Sequence, residues 1–152
     1  QLKWENGWGN TELRAEYWKG KQTATQNTSE TPGTPPIQTG LTYGPNYIRN
    51  FNGAFLLLLQ NLHSTRHQLG LKLDWYDPNT KVKGDQIGQT GSNMNGADIR
   101  YTTLGGGYLF YIDPNFKLTL WYDRVWNEAT KLSGFESDVS DNILTVRVQF
   151  RF

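Results

Sequence analysis

The fold class is decided at the end of the chain by the stretch NILTVRVQFRF, residues 142–152. Every second position from Leu144 to Phe152 is apolar, and the positions between them are polar or charged, as at Arg147. Successive side chains of a β-strand point to opposite faces of the sheet. The alternation therefore predicts a strand with one apolar and one polar face.

The same period of two recurs upstream, whereas apolar residues at helical spacing are nearly absent. We predict an all-β chain that also has the end of a further strand at residues 1–4. The six strands that we expect in full lie at residues 11–20, 46–60, 67–77, 98–112, 115–126 and 142–152.

Two of these strands alternate less regularly than the others. In strand 46–60 the apolar run Ala54–Leu59 does not show which face is the apolar one. In strand 98–112 the alternation is interrupted by Gly105–Gly107. In a strand, such glycines allow a bend or the close packing of a ring. On the apolar faces of these two strands we place Phe51, Phe55, Leu57 and Leu59, and Ile99, Tyr101, Thr103 and Leu109, respectively.

The connections between strands alternate between short and long. The chain turns within a few residues after position 60 and again at Asp113-Pro114-Asn115, whereas the links at 21–45, 78–97 and 127–141 are long and polar. Bacterial outer-membrane barrels have this asymmetry, with short periplasmic turns and long extracellular loops. We therefore predict an antiparallel up-and-down transmembrane β-barrel in which the three long links are extracellular loops.

Composition narrows the possible functions. The 152 residues include no cysteine, which excludes a disulfide scaffold, a thiolate metal site and a cysteine nucleophile within them. The net charge of +1 gives no general attraction to nucleic acid. No apolar run reaches the roughly 18 residues of a membrane helix. We find no catalytic triad or carboxylate pair that predicts an enzyme.

Aromatic residues are frequent although hydrophobic ones are few, at 14% and 36% of the chain. A barrel wall explains both values, because only its outward side chains are apolar and because Tyr and Trp favour the membrane interfaces. A soluble β-sandwich is the alternative, but it rarely needs an aromatic-capped apolar face on every strand. The predicted interface residues are Tyr17, Trp75, Tyr111, Phe116, Tyr122, Trp126 and Phe150.

We expect the chain to be one part of a larger barrel. It opens on Gln1, in what already resembles a strand. Single-chain bacterial barrels have an even number of strands, eight or more. Seven strands cannot close an antiparallel barrel, and an open edge would expose unpaired amides to lipid. The sequence therefore predicts the C-terminal portion of a longer protein.

Several short stretches, in their order along the chain, also match the pattern of a known family. They are KLDWYDPN (72–79), KVKG (81–84), GGGY (105–108), DPN (113–115), KLTLWYD (117–123), NE (127–128) and DNILTVRVQFRF (141–152). Over residues 46–152 the chain resembles the phosphate-selective porin O/P family, and more closely the porins of this type in Bacteroidota.

The resemblance implies a barrel of about 16 or 18 strands in the outer membrane of a Gram-negative bacterium. It implies passive diffusion of small hydrophilic solutes or ions, including anions such as phosphate, with no cofactor. Phe152 and the aromatics before it resemble the signal that the barrel-assembly machinery reads. The implied partners are outer-membrane lipid, that machinery during biogenesis, and a homotrimer or another outer-membrane protein.

The charges predicted to line the pore are close to balance. Strong anion selection needs focused charge of one sign, so we expect a weakly selective pore, or charges that pair across adjacent strands. The rival hypothesis is a structural barrel with a plugged lumen that docks partner proteins. The predicted lumenal bases are Arg14, Lys72, Arg100, Lys117, Arg147 and Arg151, and the acids are Glu12, Glu16, Asp74, Asp98 and Asp123.

Two other polar groupings have ordinary explanations. His63 and His67 flank a short turn and have no third metal ligand nearby in sequence. Asp77, Asn79 and Asp85 carry oxygens that could bind calcium, but Asp-Pro-Asn is usual turn chemistry. We therefore predict no metal site.

Overall fold

The computed structural model describes residues 1–25, 46–92 and 94–152. This part of the chain forms one antiparallel sheet, in which each strand pairs with its neighbours in sequence, and it contains no α-helix. The predicted all-β antiparallel meander is thereby confirmed, and the sheet is not closed. Its strands are β1 (Leu2–Asn6), β2 (Gly9–Thr25), β3 (Asn46–Asn61), β4 (His67–Asp77), β5 (Tyr101–Asp113), β6 (Phe116–Asn127) and β7 (Ile143–Phe150).

Most strand boundaries differ from the expectation by one or two residues, and two differ by more. β2 continues to Thr25, so the first predicted loop begins inside a strand, and its remainder, 26–45, lies outside the described residues. β5 begins at Tyr101 because the residues before it, Gly96–Asp98, form a short 3-10 helix. A second 3-10 helix covers Gly84–Gln86.

The two ends of the sheet differ in their connections. At the short-turn rim, tight turns join β1 to β2, β3 to β4 and β5 to β6. In the last of these, the Asp113 carboxylate accepts a hydrogen bond from the Asn115 N–H over 2.7 Å. At the opposite end, the long-loop rim, segments 78–100 and 128–142 connect the other described strand pairs. In the described residues, no helix is long and apolar enough to cross a membrane.

Strand register divides the sheet into two faces of different chemistry, because residues directly opposite each other on paired strands share a face. On the apolar face, Leu13 pairs with Leu58, and Leu58 with Leu71. On the polar face, Arg14 pairs with Leu57, and Leu57 with Lys72. The apolar face also carries Leu56, Leu69, Leu73, Leu104, Leu118, Leu120, Leu144, Val146 and Val148.

The predicted faces of β3 and β5 were wrong. Phe51, Phe55, Leu57 and Leu59 lie on the polar face, since Phe55 pairs with Asp74 and Leu57 with Lys72. In β3 the consecutive apolar residues fit either assignment of side chains to the two faces, so alternation could not choose between the two assignments. In β5 the glycines carry no side chain that would mark a face. There Tyr101, Thr103 and Leu109 lie on the polar face, whereas Ile99 precedes the strand.

Nothing in the described part of the chain covers the apolar face. Leu144 and Val146 are each 67% exposed, and Leu71 is 53% exposed. The buried apolar side chains of this part are Ala54, at the long-loop end of the apolar face, and Ile87, Ala97 and Ile99, which belong to segment 78–100. The sheet is therefore a single layer without a hydrophobic core of its own.

On the polar face, the indole ring of Trp121 lies against three glycines. A Cβ on Gly70 would be 2.5 Å from the ring atom Cζ3, and one on Gly105 would be 2.8 Å from Nε1. A Cβ on Gly107, which pairs directly with Trp121, would overlap the ring as well. Because the ring lies this close to three glycines, one on β4 and two on β5, it lies flat on the sheet. Of the two roles that the sequence left open for the glycine run, a bend or the close packing of a ring, the structure shows the packing of a ring.

This packing distinguishes two neighbouring glycines. We expect Gly107→Ala to lower the free energy of unfolding by about 1–3 kcal/mol, because the added methyl group must displace the indole ring. The control is Gly106→Ala on the other face, where a Cβ would meet nothing closer than the Gly70 carbonyl oxygen at 3.8 Å. Chemical denaturation of the purified protein measures both, and equal effects would contradict the packing described here.

Candidate functional site

The centre of the polar face carries a cluster of charged side chains. Lys72 Nζ lies 3.0 Å from Asp74 on its own strand and 3.4 Å from Asp123 on β6. Lys72 and Asp123 belong to one cross-strand row, with Gly105 of β5 between them. Because Gly105 has no side chain, the lysine can reach across β5. A Cβ at this position would overlap Asp123 Oδ1.

A second group of charges lies nearer the short-turn rim. The Glu12 carboxylate forms ion pairs with Arg14 and with Lys3, the latter over 3.7 Å, and it also accepts a hydrogen bond from Gln1. In this group one acid is shared between two bases, the reverse of the arrangement at Lys72. The expected pairing of charges across adjacent strands is found here, between Lys3 of β1 and Glu12 of β2, whereas Lys72 and Asp123 pair across the intervening strand β5.

Most of the residues predicted to line a pore do share one face. Arg14, Lys72, Asp74, Lys117, Asp123 and Arg147 all lie on the polar face, as do Glu12 and Glu16. Arg100 precedes β5 and Arg151 follows β7, so neither has a strand position. Lys117 Nζ lies 5.7 Å from the centroid of the Tyr111 ring.

Five of the seven predicted interface aromatics fall into two groups at the ends of the apolar face. Tyr17, Trp75 and Trp126 belong to one cross-strand row near the long-loop rim. Phe116 and Phe150 pack together at the short-turn rim, with ring centroids 4.6 Å apart. The other two residues differ. Tyr122 lies in the middle of β6, opposite Gly106 and Leu144, and Tyr111 lies on the polar face opposite Lys117.

Arg124 is the one charged residue between these aromatic groups on the described apolar face. Its guanidinium group lies 5.4 Å from the Trp126 ring centroid and 2.8 Å from the Asp138 carboxylate in segment 128–142. A long side chain can cover apolar surface while its charged end reaches a polar rim. Arg124 therefore directs its charge toward the long-loop rim.

Segments 78–100 and 128–142 pack together into a folded unit, which we call the loop cap. The Lys131 N–H donates to the Ile87 carbonyl over 2.9 Å, and the Arg100 N–H donates to the Glu128 carboxylate over 2.9 Å. Gly88, with a φ of 78°, passes so close to the Leu132 backbone that a Cβ would not fit. Segments 78–100 and 128–142 thus pack directly against each other.

A buried ion pair ties the loop cap to β3. Arg49 Nε and Nη2 donate to the two carboxylate oxygens of Asp98 over 2.7 and 3.1 Å, and both side chains are fully buried. Asn79 donates to the same carboxylate over 2.8 Å, and so does the Asn95 N–H over 3.1 Å. The prediction of Asp98 as a lumenal acid is wrong, because these groups enclose it.

The loop cap is attached to the polar side of the sheet. Arg49 pairs with Gln22 on the same face as Phe51 and Gly53. At the end of β6, Asn127 pairs with Tyr101 on this face, and its side chain accepts a hydrogen bond from the Val139 N–H over 2.7 Å. These contacts place the loop cap at the long-loop end, or mouth, of the polar face.

The groupings weighed as metal sites have structural roles. The Asp77 carboxylate accepts a hydrogen bond from the Asn79 N–H over 3.0 Å, which is the turn chemistry expected of Asp-Pro-Asn. His63 stacks on Trp8 in the short-turn rim, and His67 stacks on Phe110. Within the described ranges, no group of three or more His, Cys, Asp or Glu side chains could hold a metal ion.

Sequence reasoning missed two contacts that shape this region. The Arg49–Asp98 pair joins residues 49 positions apart, and neither alternation nor a short motif connects them. The packing of Trp121 on the glycines could have been predicted from the sequence. Once β5 and β6 are paired through their short turn, Trp121 lies opposite Gly107 and Asp123 lies opposite Gly105. No family model, curated protein or solved structure matches this chain.

Removing one member of the buried ion pair tests its role. Arg49→Met leaves the Asp98 carboxylate buried without its cation, which costs about 3–5 kcal/mol. We expect the loop cap to detach, and trypsin to cleave faster after Lys81 and Lys83, which are exposed in it. The control is Arg124→Gln, which removes a partly exposed pair worth about 0–1 kcal/mol. Cleavage of Arg49→Met at the wild-type rate would contradict this assignment.

Proposed function

We propose that this sheet forms part of the wall of a transmembrane β-barrel in a bacterial outer membrane, and that the barrel is a passive pore for small hydrophilic solutes. The contrast between the two faces of a single layer carries the proposal. Among the described residues, the apolar face bears one charged residue between its aromatic groups, whereas the polar face bears clustered charges. A membrane wall needs lipid on one side and water on the other.

The dimensions of the apolar face support this proposal. Trp126 and Phe116, both on the apolar face of β6, are ten residues apart. At about 3.3 Å per residue this separation is about 33 Å along the strand. A strand tilted by about 40° then spans about 25 Å, which is the height of the apolar band of outer-membrane barrels.

The open edges favour a barrel over a sandwich. A soluble sandwich needs a second layer on the apolar face, and the described residues supply none. Further strands that pair with the outer sides of β1 and β7 would close the wall and satisfy its edge amides. The sequence resemblance to the phosphate-selective porin O/P family agrees with such a barrel.

The charge arrangement supports weak rather than strong ion selection. Lys72 is shared by two acids and Glu12 by two bases, so the two clusters carry opposite excess charges and the polar face has no focused charge of one sign there. The loop cap at the mouth of the polar face would narrow the entrance. The same position of the cap favours the second candidate, a plugged barrel that docks partner proteins, and conductance distinguishes the two.

Planar-bilayer recording of the native protein tests the pore. We expect single-channel steps, and we expect Lys117→Glu to shift the reversal potential in a salt gradient toward cations, because Lys117 lies on the polar face. The matched control is Lys19→Glu, which makes the same charge change on the opposite side of the sheet and should leave the reversal potential close to that of the wild type. An absence of steps would reject the pore and favour the plugged barrel.

A further inference from the structure

The Trp121 ring has one side against the sheet and is only partly buried. Its inner side covers Gly70, Gly105 and Gly107, so no neighbouring side chain intervenes between the ring and the backbone. The ring stands on the polar face, where Trp121 pairs with Thr145 of β7. Its outer side is therefore directed away from the sheet, toward the space that the polar face borders.

Hydrogen-bond donors and acceptors both lie near the edge of this ring. The indole Nε1–H donates to Asp123 Oδ1 over 2.9 Å, and Lys72 Nζ lies 3.4 Å from the same oxygen. The side chains of Lys72 and Asp74 are each 31% exposed, and that of Asp123 is 16% exposed. An ammonium donor and two carboxylate acceptors are thus open to solvent beside a flat apolar surface.

We propose that Trp121, with Lys72, Asp74 and Asp123, forms a binding subsite for a neutral carbohydrate. The C–H face of a sugar ring is apolar and matches the exposed side of the indole, while its hydroxyl groups donate to carboxylates and accept from an ammonium group. This inference rests on the proposed pore, because a solute would meet the subsite as it passes along the polar face.

The charge of the cluster favours a neutral solute over an anion. Two carboxylates flank one ammonium group, so the cluster has an excess of negative charge and would repel phosphate. Carboxylates that already share a cation keep free lone pairs for hydroxyl donors. The site therefore suits a neutral polyhydroxyl solute better than phosphate.

A second ring on the polar face supplies the control. Trp18 also lies against a glycine, since a Cβ on Gly53 would be 2.5 Å from the ring atom Cε2. Its neighbour is the Phe55 ring, at a centroid distance of 6.5 Å. In the described residues the Trp18 ring makes no hydrogen bond to a carboxylate. It shares the glycine packing of Trp121 without the polar edge.

Calorimetric titration of the detergent-solubilised native protein tests the inference, with maltotriose as the probe. Sorbitol, which has hydroxyl groups but no ring face, is the ligand control. We expect Trp121→Leu to weaken maltotriose binding about tenfold or more, since a lost ring contact and its partners amount to about 1.4 kcal/mol. Trp18→Leu should bind as the wild type does. Lys72→Gln, which keeps the ring in place, should bind several-fold more weakly.

Three results would overturn the subsite: no maltotriose binding by the wild type, equal binding of sorbitol, or wild-type affinity in both Trp121→Leu and Lys72→Gln. These results are separable from the fate of the pore. Conductance without maltotriose binding rejects the subsite and leaves the pore, whereas binding without conductance rejects the pore and leaves the subsite.

Discussion

The structure depends on an apolar face that the described chain does not cover. A buried Leu or Val side chain contributes about 1.5–3 kcal/mol relative to an exposed one, and this contribution is unused along the whole apolar side of the sheet. Leu71, Leu144 and Val146 remain more than half exposed. A single layer cannot bury such a face on itself. The apolar contact must therefore come from outside the described residues.

The polar face is stabilised by different means. On this face Trp121 covers three glycines and Trp18 covers Gly53, so that aromatic rings pack on the backbone of the sheet where a core would place aliphatic side chains. The charges beside them are shared between strands, as at Lys72. At the mouth, the fully buried Arg49–Asp98 pair holds the loop cap on this side. The same features that stabilise the sheet thus shape the surface that a solute would meet.

Much of the fold followed from period two, because alternation marks most of β4, β6 and β7, and the faces of these strands are those predicted. The faces of β3 and β5 did not, since consecutive apolar residues and consecutive glycines carry no information on register. Most of the polar-face residues were predictable for the same reason. The loop cap was not, because Arg49 and Asp98 meet only through the tertiary arrangement of segments far apart in sequence.

The central claim is that lipid covers one face and water the other, and neighbouring positions in β7 test it most directly. The chain has no cysteine, so Val146→Cys and Arg147→Cys each introduce a single thiol into it. Both residues are exposed in the structure, on opposite faces. In membranes, a water-soluble maleimide should label Arg147→Cys and leave Val146→Cys unlabelled until the protein is unfolded. Equal labelling of both thiols in the folded protein would contradict the account.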